Sequence, residues 1–358
     1  MNVSVNKSAR LESLDILRGL DMFLLVGLQP VLVAVAGKCG GQVGDWLMYH
    51  LDHEVWVGFR FWDLVMPLFL FMTGAAMPFS FAKYRNGSVS KRMGWVHIMK
   101  RVVVLWVLGM VVQGNLLGFD PGRFLWYTNT LQAIAAGYLV SAILLLYCGL
   151  RMRIWMTVAL LLCYSVPMSL LGDWSVEHNF AATVDRLVLG AERGDASYTW
   201  VWSSFTFGVT VMLGTFASEI IRRYKTQATL RLLVIGCALV AVAMIWSVET
   251  PVIKRIWSGS MTLLSGGLCF LLLALFHWWM DVKGHKKGWG WLKIYGMNSI
   301  VAYMLGEVVN FRSVVVSLTW GLEPLLGGWW DVWLTAGNYG VLFAVLAWMY
   351  RTRVFVKI

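Results

Sequence analysis

The stretch FWDLVMPLFLFMTGAAMPFSFAK, Phe61 to Lys83, carries charge only at Asp63 and Lys83, with nothing charged between them. A helix of about 20 apolar residues crosses a ~30 Å hydrocarbon layer, and lipid offers no water to an unpaired backbone group, so this stretch reads as a membrane-spanning helix. Working outward, the same reading yields spans near 14–36, 61–83, 96–114, 127–148, 152–171, 199–221, 230–248, 260–281, 291–309 and 333–350. Composition agrees, with 59% hydrophobic and 14% charged residues and a mean hydropathy of +0.67. A soluble domain carries about 25% charged residues, so an ordinary soluble fold is excluded. The expected fold class is all-α, a polytopic integral membrane protein forming one domain over 1–358, with no internal repeat or low-complexity linker.

Thirty Lys and Arg face nineteen Asp and Glu, a net charge of +11. In a soluble chain this would suggest nucleic acid as a partner; in a membrane chain it marks the cytoplasmic loops, and no nucleic acid is expected. Counting cations on alternate sides of the spans gives twenty-two on one side and eight on the other, which puts both termini in the cytoplasm. The segment 312–322 is read as a short outer-face or re-entrant piece. Ala34-Val35-Ala36 imitates a signal-peptide cleavage site, but Asp15, Arg18 and Asp21 interrupt the apolar region such a peptide needs. Cys148, Cys163, Cys237 and Cys269 fall inside spans and Cys39 stands alone, so neither a disulfide framework nor metal spacing is visible.

Chemistry must then come from polar residues placed where lipid makes them expensive. Asp15 and Arg18, in Ser13-Leu14-Asp15-Ile16-Leu17-Arg18-Gly19, are three apart and share a helix face, so they can pair; alternatively the guanidinium of Arg18 can hold a phosphate. The second cluster runs from His50 through Asp52, His53, Glu54 and Trp56 to Asp63. Histidine is the side chain whose unperturbed pKa suits proton transfer near neutrality, and a neighbouring carboxylate can fix its tautomer. The readings open at this point are a catalytic base, a wet surface loop, or a metal site; the last lacks an HExxH or a second histidine pair.

The string His53-x-x-Trp56-x-Gly58-x-x-x-x-Asp63-Leu64-Val65-x-Pro67-x-Phe69-x-Phe71 resembles the signature of the transmembrane heparan-α-glucosaminide N-acetyltransferase family. So do Ser13-Leu14-Asp15-x-x-Arg18-Gly19, then Asn179-x-x-x-x-x-Asp185-Arg186-x-x-Leu189-Gly190, and Gly296-Met297-Asn298-Ser299-Ile300. The resemblance implies an acyltransferase in a bacterial cytoplasmic membrane. It would take acetyl from cytoplasmic acetyl-CoA, with no metal, and pass it to an amino sugar or short glycan on the far side. It implies His53 as general base or transient nucleophile, Asp63 orienting it, and Asn298 donating to the developing oxyanion, although Asn298 equally suits an interhelical hydrogen bond. Asp15, Arg18, Gln29 and Ser299 fall on the acetyl-CoA side. Trp56, Asn179, Asp185 and Arg186 fall on the acceptor side, where an ordinary solvated loop is the competing reading. Glu307 and Asn310 lie at the outer end of the ninth span without an assigned role. Besides membrane lipid, a second copy in a homodimer is a possible partner.

The chain departs from the family's pattern in three places. Gln29 stands eleven residues after Arg18, where the family usually has Asn. Leu131-Gln132-Ala133-Ile134 lacks the family's Arg, and Tyr198-Thr199-Trp200-Val201-Trp202 replaces an acidic motif. The related polysaccharide O-acyltransferases share the Leu-Asp-x-x-Arg-Gly start but place their histidine where Gln29 stands. A transporter would be expected to show paired, Gly- or Pro-broken repeats, and no paired pattern is visible.

Overall fold

In the computed structural model, residues 11–114, 125–190 and 197–356 are described, and they form an all-helical protein. Helix α1 (Glu12–Phe23) passes through a π-helical segment (Leu24–Leu28) into α2 (Gln29–Cys39), and α3 (Gly41–Leu51) follows. A 3₁₀ turn (Phe61–Leu64) opens α4 (Val65–Arg85). Then come α5 (Lys91–Val112), α6 (Thr130–Tyr147), α7 (Leu150–Leu170), the short α8 (Phe180–Leu189), α9 (Ser204–Tyr224), α10 (Ala228–Trp246) and α11 (Gly259–Phe276). The chain ends in α12 (Gly290–Met297), α13 (Ser299–Val308), α14 (Arg312–Thr319), α15 (Glu323–Leu326) and α16 (Trp330–Arg351). Local chemistry sets several starts: Ser90, Asn129, Asn179 and Ser258 each accept a backbone N–H of the helix that follows.

Eight helical stretches among the described residues are long and apolar enough to cross a membrane, which makes this a multi-pass membrane protein. The count of eight falls short of the ten spans read in the sequence at two places. The stretch Ser204–Trp246 contains α9 and α10, which turn back on each other at Lys225, whose φ of 47° breaks the helix. The expected span 291–309 is broken at Asn298 (φ −125°, ψ 42°) into helices of 8 and 10 residues. At 1.5 Å per residue these reach only about 12 and 15 Å, so neither crosses alone. The segment 312–322 begins with the eight-residue α14 lying against α16, too short to span, as the sequence suggests. The expected span 199–221 begins instead at Ser204, because residues 198–203 are drawn off to line and anchor the site described below.

Lipid tails are as apolar as leucine, so membrane helices gain most where small residues let backbones touch. Two crossings show this. A Cβ on Gly74 of α4 would lie 1.8 Å from the Val211 carbonyl oxygen, and one on Gly214 of α9 would lie 1.9 Å from that of Phe71. Likewise a Cβ on Gly19 of α1 would fall 1.9 Å from the Leu292 oxygen, and one on Gly296 of α12 would fall 2.3 Å from that of Asp15. Two sequence motifs far apart in the chain are therefore one packing contact. Gly19→Ala is expected to destabilise the protein by an amount typical of overpacking, about 1–3 kcal/mol or more, and so to lower its thermal midpoint in detergent. Gly37→Ala, where a Cβ meets nothing within 4 Å, is expected to leave it unchanged; equal midpoints for the two would refute this packing.

Candidate active site

Asp63 sits in the 3₁₀ turn before α4 with its side chain fully buried. Its Oδ1 lies 3.0 Å from Nδ1 of His53, and its Oδ2 accepts the backbone N–H groups of Arg60 (2.9 Å) and Glu54 (3.2 Å). An ionised carboxylate can only accept, so the Asp63 contact calls for the hydrogen on Nδ1 and the lone pair on Nε2, whereas an ammonium donor from Lys254 close to the same Nδ1 calls for the opposite tautomer. A third group completes the cluster. Lys254 Nζ lies 3.4 Å from Asp63 Oδ1 and 2.8 and 3.2 Å from His53 Nδ1 and Nε2. Its side chain is 5% exposed, and burial lowers its pKa to about 8 although Asp63 pulls it upward.

Loop architecture holds these groups together. The Gly58 N–H donates to the Val252 carbonyl at 2.8 Å, and Val57 and Ile253 form an antiparallel bridge, tying the His53 loop to the segment before α11. That segment is anchored on its other side. Trp257, at a φ of 52°, is buried, stacks edge-on against Phe207 and donates to Thr210 Oγ1 at 3.1 Å. Tyr164 and Ser203 both donate to the Ile256 carbonyl. Nearby, the Arg60 guanidinium grips Glu54 with two hydrogen bonds of 2.9 and 3.1 Å, holding that carboxyl below its usual range.

Lys254 is the candidate site residue that the sequence reading misses, since there it is one of eight outer cations. Nothing in its local sequence marks it, because its partners lie about 200 positions away.

The other expected residues separate into two groups. Around the outer loop, most are spent on structure. Trp56 donates to the Trp174 carbonyl at 2.7 Å. Asn179 caps α8 through Ala182 N–H and gives both amide hydrogens to the Ser175 and Val176 carbonyls. Asp185 is buried and accepts the N–H groups of Trp200 and Val201 at 2.7 and 3.0 Å, an anchoring place that differs from the acceptor-side one the resemblance implies. Arg186 is turned to the Glu177 carbonyl and Thr183. Asn310 accepts the Arg312 N–H as α14 begins. Gln29 donates to the Leu51 carbonyl at 2.9 Å, bracing the end of α3 two residues before His53.

The expectation of an oxyanion donor at Asn298 does not fit its position. Its amide donates to the Val354 carbonyl and accepts the Val356 N–H, both at 3.0 Å, so it pins the tail after α16 to the break between α12 and α13.

Cavities explain the second group. One of about 380 Å³ is lined by His53 and Lys254 together with Trp62, Tyr198, Trp200 and Glu307. Another of about 410 Å³ is lined by Arg18, Ser299, Arg101, Met297 and Phe355. Phe69 and Ile134 line both. Four helices pass from one cavity to the other in order: α4 from Val65 to Ala76, α6 at Thr130 to Ile134, α5 from Arg101 to Gln113, and α13 from Ser299 to Glu307. The two cavities are thus end to end inside the bundle. A third space, reached past Met297 and Phe355, is lined by Asp15, Lys293, Arg351 and Arg353. Arg101 keeps a buried Nε without a hydrogen-bond partner, a donor facing the middle cavity's surroundings.

Compared with known proteins, the chain matches no family model and no curated protein. Its chemistry is read from the geometry and from the motifs alone.

Removing Asp63 strands a buried ammonium and two backbone donors. Asp63→Ala is therefore expected to destabilise the protein by about 3–5 kcal/mol. His53→Ala, whose side chain is 36% exposed, is expected to change the thermal midpoint little. Matching melts of the two variants would contradict the burial argument.

Proposed function

We propose that this protein is a membrane acyltransferase that carries acetyl from cytoplasmic acetyl-CoA to an amino sugar or short glycan on the opposite face. The observation that carries the proposal is the end-to-end line of cavities from the Arg18, Arg101, Arg351 and Arg353 region to His53 and Lys254, with Asp63 buried behind them. The family resemblance of the motifs supports it, since Arg18 and Ser299 line the cavity beneath the one that holds His53. With it go ten crossings, counting the broken α12–α13 segment as one, both termini in the cytoplasm and a bacterial cytoplasmic membrane.

The residues fit such a substrate. Guanidinium groups suit the phosphates of the nucleotide end, and the middle cavity, where Phe69, Met72, Leu105 and Ile134 alternate with Thr73 and Ser299, suits a thin pantetheine arm of mixed apolar and amide character. At the outer end, Nε2 of His53 takes the proton of the attacking amine as the carbon–nitrogen bond forms and the carbon–sulfur bond breaks; the thiolate then takes up a proton. If His53 instead carries the acetyl group transiently, the same lone pair attacks first. In both routes Asp63 holds the ring's tautomer. The Lys254 ammonium, charged below about pH 8, faces the charge that develops on the thioester oxygen.

The test follows free thiol released from acetyl-CoA by the purified protein, with and without glucosamine. Acceptor-dependent release is expected, lost by at least about 100-fold in His53→Ala and retained in His50→Ala, His178→Ala and His285→Ala. Equal release in His53→Ala and the parent would overturn the mechanism. Absence of release with any amino sugar would turn attention to another acyl donor, and then to a transporter without covalent chemistry.

Because Lys254 loses its proton as pH rises through about 8, the rate is expected to fall over that interval. Lys254→Met is expected to be slower throughout and to lack that alkaline limb. A full pH–rate profile on the two proteins checks it, and an unchanged limb in Lys254→Met would assign the limb to another group.

A further inference from the structure

A separate groove of about 1160 Å³ opens on the side of the bundle between α7, α9 and α10, away from His53. Its walls are apolar. Ile154, Val158 and Leu161 follow one face of α7, and Val234, Ile235 and Leu239 answer from α10. One end is different: Arg85, Arg153, Arg222, Arg223 and Arg231 line it against a single carboxylate, Glu219.

Glu219 is shared between Arg85 (3.0 Å) and Arg153 (2.9 Å), and Arg222 gives one donor to the Pro78 carbonyl. Arg231 donates to the Gln227 carbonyl at 3.1 Å, and the five cations at this end face one carboxylate. Arg153 is the telling residue: its side chain is 1% exposed, it lines the groove, and its Nε and Nη1 have no hydrogen-bond partner. A buried donor left unmade costs free energy comparable to a lost hydrogen bond, more where the group is charged. An anion in the groove would satisfy it.

The groove's depth supplies the second argument. From Leu150 to Leu161 along α7 is eleven residues, about 16 Å at 1.5 Å each, close to half of a ~30 Å hydrocarbon core. A cationic end opening into an apolar trough one leaflet deep matches a phosphate head joined to acyl chains. The geometry points to a binding site for one anionic phospholipid, its phosphate on Arg153 with Arg223 and Arg231 at the rim and its chains along Val158 and Val234. This site is independent of the acyltransferase reading.

The experiment is native mass spectrometry of the full-length protein in detergent, titrated with phosphatidylglycerol, phosphatidylcholine or glycerol 3-phosphate. One phosphatidylglycerol retained per protein is expected, with phosphatidylcholine weaker and glycerol 3-phosphate not competing. Arg153→Gln and the exposed rim pair Arg223→Gln with Arg231→Gln are each expected to weaken retention about tenfold or more. Val158→Trp, which fills the trough, is expected to abolish it. Should Arg153→Gln fail to fold, the rim pair decides. Equal retention of the two lipids, competition by glycerol 3-phosphate, or unchanged binding in the rim pair would each overturn the proposal. So would a protein dimer lost in Val158→Trp without lipid selectivity, which would make a second copy the occupant.

Discussion

A carboxylate buried at the edge of a membrane bundle needs partners, and Asp63 organises the outer half of this protein by needing them. Removing one member of such a buried cluster costs far more than the cluster gains over an apolar core, so the surrounding chain is arranged around the charge. Two backbone N–H groups from the His53–Arg60 loop, the imidazole of His53 and the ammonium of Lys254 converge on it. The first three come from the loop that leads into Asp63, and Lys254 from the distant segment before α11. The pairing of Val57 with Ile253 and the seating of Trp257 keep the two loops in register.

The same constraint sets the surroundings of the neighbouring groups. Asp63 and Lys254 both reach the His53 ring, and burial brings the pKa of that amine down to about 8. Perturbed groups gathered in a cavity are what a catalytic site requires. The cavity beneath them is continuous in lining with one that opens toward arginines, because α4, α5, α6 and α13 run past both. The glycine contacts between α1 and α12 and between α4 and α9 fix how closely those helices approach.

The two motif glycines illustrate how function and packing share residues. Gly19 follows Arg18, and Gly296 precedes Ser299 by three; Arg18 and Ser299 line the middle cavity while the glycines clamp α1 to α12. Asn298, two residues after Gly296, neither lines that cavity nor clamps the helices. It closes the helix break by pairing with the tail, and so places Phe355 and Val356 at the cavity wall.

Membrane residence and the all-helical class were legible in the sequence, because a lipid-embedded backbone must satisfy itself and apolar length alone reveals where it does. His53 with Asp63 was legible too: their ten-residue separation lies within one loop and the turn that ends it. Three things were not. Lys254 reaches His53 only through a loop contact between distant segments. The use of Asn179 and Asp185 as cap and anchor depends on which backbone N–H groups fold beside them. The break at Asn298 depends on a tail some 56 residues further on. Periodicity and composition report how a residue faces lipid or core; they carry no information about which polar group from elsewhere in the chain will meet it, and only the packed bundle decides that.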